Sequence, residues 1–210
     1  MSIEVLLADD HAVLRDGLAF LLGAQSDIKI VGSVANGRAA VREALRLKPQ
    51  VIVMDILMPE LNGIEATRQI CAAGTGTRVV ILSMQSSSEH VYRALEAGAG
   101  GFVLKESAGD ELVRAVRAVH AGKRYLSAKV SPLRDIGDDR QASPVESLSR
   151  REREILQLTV EGKSSAEIGA LLFISPKTVE TYRSRMMQKL GLGDLPGLVK
   201  FAISHGLTPP

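Results

Sequence analysis

Acidic, hydroxyl and amino side chains occur at points of the chain where a short apolar run ends: Asp9 and Asp10, Asp55, Ser83 and Lys105. Three carboxylates brought together would raise one another's pKa unless a cation neutralised them, and a hard divalent ion such as Mg²⁺ suits that role. Asp55 could then stay ionised and attack a phosphoryl group. Lys105 could balance the phosphoryl charge, and the Ser83 hydroxyl could donate a hydrogen bond to it. This set predicts a magnesium-dependent phosphoacceptor site.

Five βα repeats would bring these residues together, and the first 120 residues contain the required pattern. The predicted strands are apolar runs rich in Val, Ile and Leu, as buried parallel strands require: Ile3–Ala8, Ile28–Ala35, Val51–Met54, Arg78–Leu82 and Phe102–Leu104. Helix starts are indicated between them, at Asn36, at Asn62 with Glu65, and at Ser86 with Glu89. The fold predicted is a (βα)5 doubly wound parallel sheet with helices on both faces, whose ligands bind at the carboxyl ends of the strands.

The βα pattern stops near Gly122, and helical signals resume at Ser149, which can form a capping box with Glu152. The stretch Ser131–Pro144 has no apolar periodicity and is typical of a linker. We therefore predict an α/β domain over residues 1–121, a linker over 122–147 and a four-helix all-α domain over 148–210.

A helix-turn-helix is predicted inside the second domain. Ser175 followed by Pro176 is a strong helix start, and Ala166–Leu172 forms a short helix a three- to four-residue turn before it. Val179 and Met186 recur at helical spacing with Tyr182 and Leu190 and should pack inward. The residues expected to meet DNA lie on the opposite face or flank it: Lys177, Thr178, Glu180, Thr181, Arg183, Ser184 and Arg185. The two arginines suit phosphates, whereas Lys177, Glu180, Thr181 and Ser184 can enter a major groove. Lys177, at the start of the helix, could equally reach a phosphate.

Composition narrows the class of protein. Hydrophobic residues make up 45% and charged residues 24%, as in ordinary globular proteins. The net charge of +2 does not itself indicate a nucleic-acid partner, and from Leu148 onward there are nine Lys or Arg against six Asp or Glu. Cys71 is the only cysteine, and the histidines have no zinc-ligand spacing. Without a signal-peptide pattern or a long apolar run, we expect a cytoplasmic protein with no membrane partner.

Four segments of the first domain resemble the receiver-domain signature of two-component response regulators, over roughly residues 3 to 121. They are Leu7-Ala-Asp9-Asp10-His11, Met54-Asp55-Ile-Leu-Met-Pro-Glu-Leu-Asn-Gly63-Ile-Glu65, Leu82-Ser83-Met84 and Gly101-Phe102-Val-Leu-Lys105. The resemblance implies that a sensor histidine kinase phosphorylates Asp55. It also implies a switch pair in which the Ser83 hydroxyl moves toward the phosphoryl group and the Phe102 ring rotates inward.

The same resemblance implies a set of Mg²⁺ ligands. Asp10 and Asp55 are the direct carboxylate ligands, Asp9 is bonded through water, and the backbone carbonyl of Leu57 is a further ligand. Glu106 follows Lys105 where many receivers have a proline with a cis bond, and because a non-proline cis bond costs roughly 3 kcal/mol, we expect a trans bond here.

About sixty residues from Leu148 resemble the LuxR-type DNA-binding domain of the NarL/FixJ response regulators, including the sequence Lys189-Leu-Gly-Leu192. This implies a transcriptional regulator that binds double-stranded promoter DNA, as a homodimer once activated. It also implies no enzymatic activity beyond the receiver's own phosphorylation and dephosphorylation.

Two other functions are compatible with parts of the sequence. A phosphatase of the aspartyl-phosphate type uses an Asp nucleophile and Mg²⁺ but carries a second catalytic Asp two residues later, where this chain has Leu57. Alternatively, the helical domain could recruit a protein instead of DNA. A gel-shift assay on genomic fragments would distinguish that case.

Overall fold

The structure, a computed structural model, describes residues 2–130 and 143–208, so most of the predicted linker segment Ser131–Pro144 lies outside the described residues. The described residues fall into two compact units, an N-terminal one that includes residues 2–58 and 62–130 and a C-terminal one that includes residues 143–208. No helix within these ranges is both long enough and apolar enough to cross a membrane.

The N-terminal unit is a parallel sheet with strand order β2-β1-β3-β4-β5-β6. Its strands are β1 (Ile3–Ala8), β2 (Ile28–Val34), β3 (Val51–Asp55), β4 (Arg78–Ser83), β5 (Gly101–Leu104) and β6 (Tyr125–Leu126). Its helices are α1 (Ala12–Gly23), α2 (Gly37–Leu47), α3 (Gly63–Ala72), α4 (Ser88–Glu96) and α5 (Asp110–His120). The doubly wound sheet predicted from the sequence is confirmed, with one strand more than the five expected.

The additional strand, β6, lies within residues 122–147, which were predicted as a linker. A strand of two residues is too short to show an alternating or apolar pattern in the sequence. Pairing with β5 stabilises it. This pairing satisfies backbone groups that β5 would otherwise present at the edge of the sheet.

Helix boundaries in this unit follow local capping. The side chains of Asn36 and Asn62 accept hydrogen bonds from backbone N–H groups of the first turn, as predicted. The predicted start at Ser86 is wrong by one residue, because Ser87 is the N-cap of α4 and accepts from the His90 N–H. In the described residues no peptide bond is cis, so the Lys105–Glu106 bond is trans, as expected.

The apolar core fixes the position of the strand ends. Alternate residues of β1, β3 and β4, among them Leu7, Val53 and Leu82, pack with α1 and α5 in one buried cluster. In the sheet, β1 lies between β2 and β3. The connection from β1 therefore leads to the strand on one side of it, and the next connection crosses back to the strand on its other side. A crevice forms at the carboxyl ends of strands at such a switch point.

The C-terminal unit is helical, as predicted. A short 3₁₀ turn (Pro144–Ser147) precedes α6 (Arg150–Val160), α7 (Ser165–Leu172), α8 (Pro176–Leu190) and α9 (Leu195–Ser204). The predicted capping box of Ser149 and Glu152 is present, and Ser164 and Glu167 form a second one at the start of α7.

A tight turn joins α7 to α8. Phe173 has a left-handed backbone (φ 55°) and ends α7, and Pro176 opens α8 three residues later. A Cβ at Gly169 would lie 2.7 Å from the Ile174 carbonyl oxygen, so only glycine allows α7 to approach the turn this closely. This is the geometry of a helix-turn-helix.

Candidate metal centre and nucleic-acid interface

The carboxylates predicted to cluster do so at the ends of β1 and β3. Donor atoms of Asp9, Asp10 and Asp55, together with a ring nitrogen of His11, all lie within 4.8 Å of one another. Asp9 and Asp55 are buried, whereas Asp10 and His11 are exposed. His11 was not predicted as part of this group. Its Nδ1 lies 2.8 Å from Asp10 Oδ1. The only sequence feature that could have indicated this contact is the position of His11 directly after Asp9 and Asp10.

Lys105 closes the cluster from the end of β5. Its Nζ lies 2.8 Å from Asp9 Oδ2 and 2.7 Å from Asp55 Oδ2, and its side chain is only 6% exposed. One ammonium therefore bridges two buried carboxylates that come from different strands. This shared contact links the carboxyl ends of β1, β3 and β5 through ion pairs.

Burial and charge act on Asp55 in opposite directions. Burial raises the pKa of its carboxyl to about 6, although Lys105 lowers it, and the Asp9 charge adds to the increase. For Lys105, burial lowers the pKa, but Asp55 and Asp9 outweigh it and the net pKa is raised. At neutral pH Asp55 is thus mostly ionised while carrying an unfavourable desolvation. A buried carboxylate in this state is stabilised by a nearby cation.

Backbone geometry fixes the Asp55 side chain. Its Oδ1 accepts a 2.7 Å hydrogen bond from the Ile56 N–H, and the Gly63 N–H donates to the Ile56 carbonyl over 2.8 Å. A Cβ at Gly63 would lie 1.8 Å from the Asp55 carbonyl oxygen. Gly63 is therefore required for α3 to begin directly against the end of β3, a role that the sequence reasoning did not assign to it.

The predicted switch residues lie on the neighbouring strands. Ser83 is buried at the end of β4, and its Oγ accepts a 3.0 Å hydrogen bond from the Gln85 N–H. Phe102 is fully buried in β5, beside Ile81 of β4. Their roles as a switch pair stay a prediction.

The donor set fits a small, hard cation. Three carboxylates supply oxygen atoms, the donors that Mg²⁺ prefers, and the exposure of Asp10 leaves room for the waters that Mg²⁺ retains. Asp9, Asp10 and Asp55 would hold such an ion. Leu57 is half-buried two residues after Asp55, and its carbonyl stays a predicted ligand.

The second candidate site is the exposed side of α8. Val179 and Met186 are fully buried, and Tyr182 and Leu190 are partly buried against the domain core, as predicted. Five of the predicted DNA-facing residues are exposed: Lys177, Glu180, Thr181, Ser184 and Arg185. Thr178 is half-buried in the helix cap, where its N–H donates to Ser175 Oγ.

A hydrogen-bond network that spacing did not predict connects α7 to this surface. The Ser165 hydroxyl donates to the Glu180 carboxylate, and Arg183 Nη1 donates to Ser165 Oγ over 3.2 Å. Arg183 Nη1 also lies 3.6 Å from Glu180 Oε1. Glu180 and Arg183 are thus held within the domain. The side chains of Lys177 and Arg185, by contrast, make no ion pair or hydrogen bond among residues 143–208.

Comparisons with known proteins identify the family of both units. Residues 5–117 match the response regulator receiver domain, and residues 146–202 match the bacterial regulatory proteins of the luxR family. The transcriptional regulatory protein LiaR of Bacillus subtilis is 43% identical over 91% of this chain and 92% of its own length.

Two solved structures are similar over nearly the whole chain. RcsB of Salmonella enterica serovar Typhimurium, bound to promoter P1flhDC in the presence of phosphomimetic BeF3⁻, is 27% identical with a TM-score of 0.61, over 96% of this chain and 98% of that one. A structure of two RcsB dimers bound to two parallel DNAs has 27% identity and a TM-score of 0.62, over 97% of this chain and 99% of that one.

Proposed function

Because this chain belongs to the two-component response regulators that carry a receiver domain and a LuxR-type DNA-binding domain, we propose that phosphorylation of Asp55 controls its binding to promoter DNA. The donor is a sensor histidine kinase. The observation that carries the proposal is the buried contact of Asp55 with Lys105, at 2.7 Å, inside a group of three carboxylates. The proposed receiver spans residues 1–121, the linker 122–147 and the DNA-binding domain 148–210.

The proposed reaction is a phosphoryl transfer to a carboxylate. A carboxylate oxygen of Asp55 attacks phosphorus, the bond from phosphorus to the donor nitrogen breaks, and the donor leaves with the electron pair. Lys105 is already held beside Asp55 and would pair with the transferred group, and the Ser83 hydroxyl would donate to one of its oxygens. The receiver catalyses only this transfer and the later hydrolysis of its own acyl phosphate.

Asp9, Asp10 and Asp55 are the proposed Mg²⁺ ligands, with the Leu57 carbonyl. A bound divalent ion supplies charge neutralisation among the carboxylates and the phosphoryl oxygens. Lys105 alone leaves the pKa of Asp55 raised, which supports the need for a second cation.

The DNA-binding half of the proposal is supported by the exposed side of α8. Lys177, Thr181 and Ser184 are available for base edges, and Arg185 for a phosphate. RcsB, a structural relative, binds DNA as dimers. We propose that phosphorylation shifts a pre-existing equilibrium toward a homodimer that presents two such helices to half-sites about one turn apart.

The experiment is labelling with a small phosphodonor. Full-length protein with Mg²⁺ and acetyl phosphate should form one hydroxylamine-sensitive acyl phosphate, which mass spectrometry should locate at Asp55. Asp55→Asn and chelation by EDTA should each abolish the label. Asp16→Asn, which removes an exposed carboxylate on α1, is the matched control and should label normally. Label persisting on another carboxylate in Asp55→Asn would contradict the proposal.

A further inference from the structure

The segment from Tyr125 to Val130 follows the last receiver helix and is attached to β5, the strand that carries Phe102 and leads into Lys105. The Tyr125 N–H donates to the Gly100 carbonyl over 3.1 Å, and β6 pairs with Gly101 and Phe102. Val130, at the end of this segment, is fully buried. The first residues beyond the receiver helices are therefore an edge of its sheet.

Ser127 makes two hydrogen bonds to β5. Its N–H donates to the Phe102 carbonyl over 2.9 Å, and its Oγ accepts from the Leu104 N–H over 3.2 Å. Its own carbonyl accepts from the Val130 N–H over 2.9 Å, so the hydroxyl replaces the backbone acceptor that would continue the ladder. Ser127 is 1% exposed, which leaves water no access to replace the bond.

A second contact lies on the other side of Lys105. Lys129 Nζ is 2.5 Å from Glu106 Oε1, in an exposed ion pair. The residues immediately before and after Lys105 are thus both bound by the segment 125–130, and so is the backbone of the predicted switch residue Phe102.

We propose that Ser127 is a positioning residue that couples the phosphorylation site to the chain leading toward the DNA-binding domain. The inference rests on the proposed function, because it requires that Lys105 and Phe102 respond to phosphorylation of Asp55. A shift of the Leu104–Lys105 backbone displaces the Ser127 hydroxyl, which accepts a hydrogen bond from the Leu104 N–H. A shift of the Phe102 backbone displaces the Ser127 N–H, which donates to the Phe102 carbonyl.

This coupling role is separate from the phosphorylation chemistry. The Lys105 ammonium is held by its own contacts with Asp9 and Asp55. Loss of the Ser127 hydroxyl therefore leaves the reacting groups in place and removes one connection between them and the segment. The expected signature is normal phosphorylation with a reduced response.

The test compares full-length Ser127→Ala with Asn36→Ala. The Asn36 side chain likewise accepts a backbone hydrogen bond, from Ala39 over 2.7 Å, but at the start of α2, next to the opposite edge of the sheet. For each protein, acetyl phosphate labelling and the change in DNA affinity on adding beryllofluoride are measured. Ser127→Ala should label to the wild-type extent while its gain in DNA affinity falls about tenfold. Asn36→Ala should keep both, and Ser127→Thr, which retains the hydroxyl, should restore the gain.

A second variant, at an exposed position, distinguishes a loss of coupling from a folding defect caused by Ser127→Ala. Lys129→Glu changes an exposed residue and should lower the gain in DNA affinity about threefold, and the exchanged pair Lys129→Glu/Glu106→Lys should restore it. A wild-type gain in both Ser127→Ala and Lys129→Glu would overturn the coupling role, as would a loss of labelling in Ser127→Ala that Asn36→Ala does not share. If the wild type itself neither labels at Asp55 nor gains affinity, the proposed function fails instead.

Discussion

The two candidate sites are constructed in opposite ways. The acidic pocket takes Asp9, Asp55, Ser83 and Lys105 from the ends of four strands spread over about a hundred residues, and all four side chains are buried. The second candidate site, the exposed side of α8, comes from one continuous helix. In the pocket each charge depends on its neighbours, whereas on α8 the exposed side chains of Lys177 and Arg185 make no ion pair within residues 143–208.

This difference determines what each site can do. Buried charges in a shared contact respond together, so a change at Asp55 must affect Lys105 and the strand ends that carry both. Exposed side chains on one helix act more independently, and their contributions to DNA binding should be separable. The largest mutational effects are therefore expected in the pocket, and the more additive ones on α8.

Lys105→Ala should have the largest effect on stability. It leaves Asp9 and Asp55 buried without their shared cation, and breaking such a contact costs about 3 kcal/mol at neutral pH without Mg²⁺. The pKa of Asp55 should then rise above the present value of about 6, so the cost should shrink as pH falls through that range and Asp55 becomes neutral. Urea unfolding at pH 7.5 and pH 5 measures this, and Lys123→Ala, at an exposed position, is the charge-matched control. A pH-independent cost would contradict a coupled pocket.

Thr181→Ala should have the next largest effect, and only on sequence discrimination. Thr181 is exposed, and its hydroxyl donates to the Lys177 carbonyl over 3.0 Å, which orients the methyl group and the oxygen lone pairs. Discrimination against a mutated half-site should fall by about 1–3 kcal/mol, with an unchanged salt dependence. Competition binding with intact and mutated sites measures it. Thr181→Ser, which keeps the hydroxyl, should lose less, and full discrimination in Thr181→Ala would exclude base reading by this residue.

Arg185→Ala should weaken specific and random DNA alike. Because the loss of one phosphate contact lowers the slope of log affinity against log salt by about 0.9, the affinity should fall about fivefold near 0.15 M salt. Arg124→Ala makes the same charge change at an exposed position of the N-terminal unit and is the control. Arg183→Ala should differ from Arg185→Ala, since it also releases Ser165 and Glu180. Identical effects of the two arginine variants would mean that the network has no influence on binding.

Glu152→Gln should have the smallest effect. Burial raises the Glu152 pKa, but the hydrogen bond from Lys189 (2.7 Å) and those at Ser149 outweigh it, so the pKa is lowered. The stabilisation is thus present above the unfolded pKa, near 4.3, and is lost as pH falls through the lower folded value. Replacement by Gln should cost about 0.5–1 kcal/mol at pH 7 and progressively less as pH falls below about 4.3. Urea titration followed by the NMR signals of Leu156 and Met186 measures it, and the pH dependence should become smaller in a Lys189→Met background, where the hydrogen bonds at Ser149 remain.

The comparison of the two sites also explains what could be predicted from the sequence. Asp55, Ser83 and Lys105 were predictable because each ends an apolar strand and parallel topology brings strand ends together. His11 and Gly63 were not, since their roles depend on short distances that spacing does not encode.

On α8, helical period correctly identified the inward-packing positions and five exposed ones, whereas Thr178 and Arg183, which were predicted to face DNA, are half-buried. It could not show that Glu180 and Arg183 bind Ser165 of another helix, because side-chain partners across helices depend on the packing between them. β6 escaped prediction for the same reason, since its two residues are ordered by a neighbour and not by their own pattern.

The central claim is that phosphorylation at Asp55 controls DNA binding by α8. The most direct test is the DNA affinity of the full-length protein with and without beryllofluoride and Mg²⁺, for the wild type and for Asp55→Asn. The wild type should bind its promoter fragment at least about tenfold more tightly with beryllofluoride, and Asp55→Asn should show no change. An equal gain in Asp55→Asn, or none in the wild type, would contradict the account.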